Sequence, residues 1–297
     1  MQVGKEFRCG VAGLVGRPNV GKSTLLNRLI GSKIAIVTPK PQTTRDNILG
    51  ILTTQDYQIL FYDTPGIHEA KRALNKRMVA QAKEAIQDCD VVTAITDIDD
   101  PARIIDDQGV LDALRTAGKP AVLAINKIDL IRKEILLPIM DAYNATGLFE
   151  AIVPISALSG DGVDRLVGEI VARLPVGPAL YPEDQLSDRP IRFLAQEVIR
   201  EKVILCTKQE LPYSTAVVIE SFEELEKLVR LKATILCERQ SQKGILIGSG
   251  GRMLKKIGTL AREELEHLLR KKVYLELYVK VDEDWTKSEV GLKRAGY

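Results

Sequence analysis

The sequence is poor in the residues that announce metal or redox chemistry. It holds two histidines and four cysteines, and Cys9, Cys89, Cys206 and Cys237 stand far apart with no C-x-x-C pair. That argues against a histidine–cysteine zinc site and against a disulfide framework, and it suits a reducing, cytoplasmic setting. Aromatic residues make up only 5% of the chain, with a single tryptophan, Trp285. Long apolar runs are missing as well: the stretch from Cys9 to Val15 is broken at once by Gly16 and Arg17, too short for a signal peptide or a membrane span. Neither sign of charge dominates, with 42 Lys and Arg against 40 Asp and Glu. What is present, 297 residues with 45% apolar side chains, is ordinary globular composition, and at roughly 100–200 residues per domain it predicts two domains.

The balanced total hides an uneven distribution. Residues 1–174 carry 21 charges of each sign, whereas residues 191–297 carry 20 basic against 16 acidic. Arg239, Lys243, Arg252, Lys255, Lys256 and Arg262 follow one another with no acid between them. Such a run is either a surface that attracts phosphates or the solvated face of a helix.

Short apolar runs alternate with longer amphipathic ones up to residue 174, which predicts an α/β domain around a mostly parallel sheet. Strands are expected at Arg8–Leu14, Ile48–Thr54, Gln58–Tyr62, Val91–Thr96, Ala121–Ile125 and Ile152–Ile155. Helices are expected at Lys22–Ile30, Leu74–Ile86, Ile104–Thr116, Lys133–Tyr143 and Val163–Arg173. The second and third strands are too close in sequence for a crossover helix, so that pair should be antiparallel, with one reversed edge strand. Residues 175–190 contain four prolines and no sustained apolar period, and read as a linker. Residues 191–297 then give the order α-β-β-α-α-β, a second domain and not a repeat of the first.

Four motifs in the first domain carry chemistry. Gly16 to Ser23, GRPNVGKS, fits G-x-x-x-x-G-K-[ST] between a strand and a helix, the context that a phosphate-binding loop requires. Its candidate phosphate ligands are Arg17, Pro18, Asn19, Val20, Gly21, Lys22, Ser23 and Thr24, mostly through backbone N–H groups that glycine leaves uncovered. Lys22 adds a point charge at the β/γ-phosphates, and the Ser23 hydroxyl is a magnesium ligand. Asp63, Thr64, Pro65 and Gly66 form D-x-x-G at the end of the third strand, with Asp63 near the magnesium and the Gly66 N–H towards the γ-phosphate. Asn126, Lys127 and Asp129 of N-K-x-D choose the base. A buried Asp129 carboxylate accepts from the N1–H and 2-amino edge of guanine, a donor pair that adenine lacks. Ser156, Ala157 and Leu158 follow the next strand, where the Ala157 N–H can meet the guanine O6.

On these motifs the first domain resembles the translation-factor-related class of small GTPases. The resemblance implies GTP and GDP as ligands, Mg2+ as cofactor and GTP hydrolysis as the reaction. It also implies a magnesium-binding threonine in the loop before the second strand, either Thr43 or Thr44, of which Thr44 is preferred. Related members place a glutamine after D-x-x-G to orient water, but this chain has Ile67, so unassisted turnover should be slow. The resemblance further suggests that Asn19 helps bind K+, which would act on the transition state as an arginine finger does. On this reading Lys22, Thr44 and Asn19 serve the chemical step.

In the second domain, Ile247, Gly248, Ser249, Gly250 and Gly251 lie between two helical stretches, and G-x-x-G is the loop with which KH domains grip a nucleic-acid backbone. The motif is common by chance, and a simple helix cap is the plain alternative. Its weight comes from the acid-free stretch around it, in which Lys243, Arg252, Lys255 and Lys256 can neutralise phosphates, and from an element order matching the type II KH fold. A GTPase domain with Pro41-Gln-Thr-Thr-Arg45 in its switch, a KH domain entered through Glu210-Leu-Pro-Tyr213 and Ser214, and an ending in Trp285 and a basic tail together resemble the Era family over the whole chain. The resemblance implies the 3′ region of small-subunit (16S) ribosomal RNA and the 30S subunit as partners, assistance to subunit maturation, and no DNA. Alternatives are a signalling GTPase whose basic C-terminus meets the inner face of the cell membrane, and an RNA-binding module with structural nucleotide. His68 and His267 read as surface residues.

Overall fold

In the computed structural model, which describes residues 6–40, 43–67, 73–207, 211–283, 285–286 and 289–295, the chain divides into two units. The first takes in the described residues up to Ala35, residues 44–67 and Arg77–Asp188. The second takes in Ile36–Thr43, the described residues up to Lys76 that open α2, and the chain from Arg189. Pro41 and Gln42 of the switch motif, His68 and Glu210 lie outside the described residues.

Strands of the first unit that are apolar on both faces become the middle of a sheet, because only a strand covered on both sides can bury every residue. Such are β4 (Val91–Thr96) and β5 (Ala121–Ile125), each buried throughout, beside β1 (Arg8–Gly16). With β2 (Ile48–Thr53), β3 (Tyr57–Asp63) and β6 (Ala151–Pro154) they form a six-stranded sheet in the order β2-β3-β1-β4-β5-β6. Only the β2/β3 pair is antiparallel, the reversed edge expected from the short connection. Helices α1 (Lys22–Ile30), α2 (Ala73–Asp88), α3 (Gln108–Ala117), α4 (Lys133–Asn144) and α5 (Val163–Val171) complete the layers. The helix expected from Ile104 is corrected. Residues Pro101–Asp107 form a 3-10 turn, started by Pro101 and by an Asp100 carboxylate that accepts from the Ala102 N–H, and α3 begins only at Gln108.

The stretch read as a linker is corrected too. Up to Asp188 it packs on the first unit, where Ile51 N donates to Leu186 O at 2.9 Å and Ser187 Oγ to Leu49 O at 2.6 Å. The fully buried Gln58 donates to Tyr181 O and accepts from the N–H groups of Leu180 and Tyr181. Proline-rich backbone is extended and has few internal bonds of its own, so it covers the otherwise open edge of β2.

The second unit contains α6 (Ile191–Cys206), β7 (Thr215–Glu224), β8 (Leu228–Cys237), α7 (Gln240–Ile247), α8 (Arg252–Leu269), β9 (Lys272–Val281) and the short α9 (Glu289–Arg294). Its sheet runs β7-β8-β9, the first pair antiparallel and the second parallel, as a type II KH fold requires. Ile257, Ala261 and Leu265 recur every four residues along α8 and are the face it buries against the sheet. Trp285 is fully buried and donates from its indole N–H to Ser214 O at 3.1 Å. Among the described residues, no helix is long and apolar enough to cross a membrane.

Candidate functional site: a nucleotide cleft and a glycine loop

All the nucleotide motifs fall at one edge of the first unit's sheet, because each follows the C-terminal end of a strand: Gly16 after β1, Asp63 after β3, Asn126 after β5 and Ser156 after β6. The chain from β1 continues to one side of the sheet and returns on the other, and such switch points are where open α/β sheets bind ligands. Here the glycines are steric necessities. A Cβ on Gly16 would lie 2.4 Å from Ile95 O, and one on Gly21, whose φ is +103°, would lie 2.2 Å from Asn126 Nδ2. Lys22 is buried, and its ammonium donates to the carbonyls of Gly16 at 3.2 Å and Arg17 at 3.0 Å. Burial lowers its pKa to about 8, against the opposing pull of Asp63 and Asp97. A cation so desolvated is poised for an anionic partner. The Arg17 side chain points elsewhere, its guanidinium paired with Asp97 and Asp107, so its part in a phosphate cradle is its backbone alone.

Ser23, Thr44 and Asp63 meet. Ser23 Oγ donates to Asp63 Oδ2 at 2.6 Å and lies 2.9 Å from Thr44 Oγ1, which is itself 3.4 Å from Asp63 Oδ2. Asp63 is fully buried, and its Oδ1 has no hydrogen-bond partner among the described residues. Burial raises its carboxyl pKa, partly offset by Lys22 and by the two hydroxyls. An orphaned buried carboxylate oxygen beside two hydroxyls is a donor set that fits a hard cation, and Mg2+ favours such oxygens. Of the two threonines, Thr44 is the one that joins this cluster. Thr43 Oγ1 is 2.7 Å from Thr38 Oγ1 and donates to Lys40 O at 2.7 Å, within the second unit, whereas Thr44 stands in the cluster.

At the base end, Asn126 is buried and braces the loops around it. Its Nδ2 donates to Val20 O at 2.7 Å and its Oδ1 accepts from the Ala157 N–H at 2.9 Å. The N–H expected to meet guanine O6 is therefore engaged with Asn126, and a base arriving there shares or takes it. Asp129 is exposed, not buried as its chemistry suggested. Ser156 is buried, Leu158 exposed, and Lys127 intermediate. Arg28, at the end of α1, donates to the carbonyls of Ala157 and Leu158, with Thr24 lining the same open recess of about 360 Å³.

The D-x-x-G segment is tied to the phosphate loop. Thr64 Oγ1 donates to Leu14 O at 2.8 Å, Ile67 N donates to Gly16 O at 3.1 Å, and a Cβ on Gly66 would lie 2.7 Å from Pro18 N. The side chain of Ile67 is buried in the core beside Val15 and Val110. It therefore reaches no water-orienting position, whatever its chemistry.

The second unit's loop differs in kind. Gly248, Gly250 and Gly251 have φ of +71°, +60° and +77°, between the end of α7 and the start of α8. Nothing lies within 4 Å of a Cβ built on Gly250 or Gly251. The glycines leave backbone bare to the outside. Ser249, Arg252, Lys255 and Lys256 are exposed, Ile247 and Lys243 intermediate, and among the described residues no carboxylate pairs with Lys243, Lys255 or Lys256. The N–H groups of Gly248 and Gly251 are bonded to the carbonyls of Gly244 and Gly248, and the exposed backbone at Ser249 and Gly250, beside unneutralised cations, suits a phosphodiester chain.

Sequence reading missed Asp97, Asp107 and Arg28, which hold the motif residues without belonging to a motif. The one signal for Asp97 was its place directly after an apolar strand.

Comparison with known proteins agrees with this geometry. Residues 11–127 match the family model described as 50S ribosome-binding GTPase, and residues 210–286 the model described as KH domain. The GTPase Era of Geobacter metallireducens is 51% identical over 98% of this chain and 98% of its own length, and that of Geotalea uraniireducens 50% over 99% of both. Two crystal structures, an Aquifex aeolicus Era variant bound to GDP·AlF4− and an Era with MgGDPNP and nucleotides 1506–1542 of 16S ribosomal RNA, each superpose with a TM-score of 0.93. Each is 40% identical, over 98% of this chain and 99% of that one.

Proposed function

Because the chain belongs to the GTPase Era family, and so is a GTP-hydrolysing enzyme with a C-terminal KH domain, we propose that it is a nucleotide-controlled binder of the 3′ region of 16S ribosomal RNA that assists 30S subunit maturation. The observation that carries the RNA half is the exposed Gly248–Gly251 loop among unpaired lysines. The 16S assignment follows the relative solved with that RNA, which matches both units. The model described as 50S-binding covers residues 11–127 and none of the chain from Arg189.

In this reading water attacks the γ-phosphorus of GTP and GDP leaves. Backbone N–H groups of Asn19 to Thr24 hold the phosphates, and Lys22 neutralises charge that grows on the β/γ oxygens. Ser23, Thr44 and Asp63 would hold Mg2+, which would supply positive charge against those oxygens. Asp129 selects guanine through its exposed carboxylate, which the base then buries. With Ile67 in the core, no side chain at that position orients water, which makes intrinsic turnover slow and gives K+ at Asn19 a role. Equal turnover in sodium and potassium would remove that role.

Release of the γ-phosphate frees Gly66 and Thr44, and the RNA grip of the second unit changes with them. A cytoplasmic location goes with this reading. Contact of the same lysines with anionic lipid at the inner membrane face is the competing reading, and it leaves the bare glycine backbone without a purpose. The deciding measurement is GTP hydrolysis and RNA binding with a 16S 3′-end fragment, comparing intact protein with the Gly250→Asp, Gly251→Asp variant. Binding and a change in turnover by the intact protein, both lost in the variant, are expected. No RNA binding by the intact protein would sink the proposal.

A further inference from the structure

Asp97 is the first residue after β4 and joins two loops that the sequence keeps far apart. Its Oδ1 accepts from Arg17 Nη2 of the phosphate loop at 3.1 Å, and its Oδ2 from Lys127 Nζ of the base loop at 2.6 Å. A second carboxylate, Asp107, takes the other edge of the guanidinium, with Arg17 Nε donating to its Oδ1 at 2.5 Å. Asp107 is itself fixed from α4 by the Tyr143 hydroxyl, whose pKa is raised by burial and by the Asp107 charge, so it stays a donor. The result is a chain of charge-assisted bonds from base loop to phosphate loop to α4.

Backbone strain marks what this chain of bonds holds. Asn19 and Lys127 are non-glycine residues with φ of +67° and +63°, and Lys127 Nζ donates to Asn19 O at 2.9 Å. Such conformations persist only where the surroundings over-determine them. One ammonium therefore spans the two strained residues, and Asp97 holds that ammonium.

We propose that Asp97 is a positioning residue for guanine-nucleotide binding: it locks Lys127 against the phosphate-loop carbonyl of Asn19, so that base and phosphates meet preformed loops. The proposal rests on the cleft being the guanine-nucleotide site. Without Asp97, Lys127 keeps one neutral acceptor and Arg17 keeps Asp107, so both loops remain folded but unbraced. Ser23, Thr44 and Asp63 make no bond to Asp97, and Lys22 keeps its bonds to the carbonyls of Gly16 and Arg17, losing only the longer-range pull of the Asp97 charge. The loss therefore falls mainly on nucleotide affinity, a KM effect with at most a small kcat effect through Asn19.

The test uses the full chain with Asp97→Ala, Asp97→Asn, Lys127→Ala and the Asp97→Ala, Lys127→Ala pair. It measures dissociation of a fluorescent GDP, KM and kcat for GTP, and melting of the nucleotide-free protein. Asp97→Ala is expected to raise the GDP off-rate and KM about tenfold with kcat within about twofold, and the pair to cost little more than Lys127→Ala alone. Asp97→Asn, which keeps shape and one acceptor, should fall between and serves if the alanine variant does not fold. A wild type that binds GDP beside variants with unchanged off-rate and KM, or effects that simply add, would overturn the proposal. A wild type that fails to bind GDP would instead overturn the nucleotide reading beneath it.

Discussion

Two glycine loops, each leading into a helix, face phosphate for opposite structural reasons. In Gly16–Ser23 the glycines are packed against Ile95 and Asn126, and the cation, Lys22, is buried with them. In Gly248–Gly251 a side chain on the second or third glycine would meet nothing, and Arg252, Lys255 and Lys256 stand in solvent. A buried loop reads one ligand with fixed geometry. An exposed one grips any phosphate backbone and leaves selectivity to neighbours.

The contrast can be broken most sharply at Gly21. A Gly21→Ala side chain has both a forbidden φ and a clash with Asn126, so GDP affinity measured by titration should fall by about a hundredfold or more. Next comes Asp129→Asn, which turns an acceptor pair into an acceptor and a donor. Preference should move from guanine towards xanthine nucleotides by roughly a hundredfold in competition binding. Retained GTP selectivity would count against Asp129 as the base reader.

On the exposed loop the effects are smaller and depend on salt. Removing Lys255 and Lys256 should lower the slope of log affinity against log salt by about 1.4, since each phosphate contact on a single strand contributes about 0.7. Filter binding across a salt series reads it, and an unchanged slope would place the RNA elsewhere. Gly250→Ala meets open space, so only the left-handed φ is paid for, and denaturant unfolding should show a loss of about 1–2 kcal/mol. A loss matching Gly21→Ala would erase the distinction.

The smallest effect is in pH. The pKa of Lys22, lowered to about 8 by burial, lies below its ordinary value of 10.5. Between these values the unfolded chain binds more protons than the folded one, so this group makes stability rise with pH through that window. Phosphates restore the charge, hence GDP binding at about pH 8.5–9 should take up a proton, and weaken as pH rises. Calorimetry in buffers of different ionisation enthalpy measures the uptake.

Local residue pattern was enough for much of this. The six strands, the reversed β2 and the KH order follow from periodicities and connection lengths that sterics leave little freedom to alter. Gly16–Ser23, Asp63–Gly66 and Asn126–Asp129 were legible because phosphate and base chemistry demand fixed residue types at fixed spacing. Illegible were features made by residues distant in sequence. The proline-rich stretch looked like a linker because its partner, Gln58, lies over a hundred residues away. Asp129 looked buried because the chemistry of guanine implies a covered carboxylate, and only the fold shows that it is exposed.

By itself, then, the sequence determined that this chain has a phosphate loop, an N-K-x-D motif and a glycine loop among lysines, since each is written in consecutive residues. Tertiary structure alone decided that Thr44 and not Thr43 joins Ser23 and Asp63, that Ile67 is core, and that Asp97 ties Arg17 to Lys127. Those outcomes depend on where strands and loops converge in space, and hydrogen bonds a few ångströms long cannot be read from separations of tens of residues.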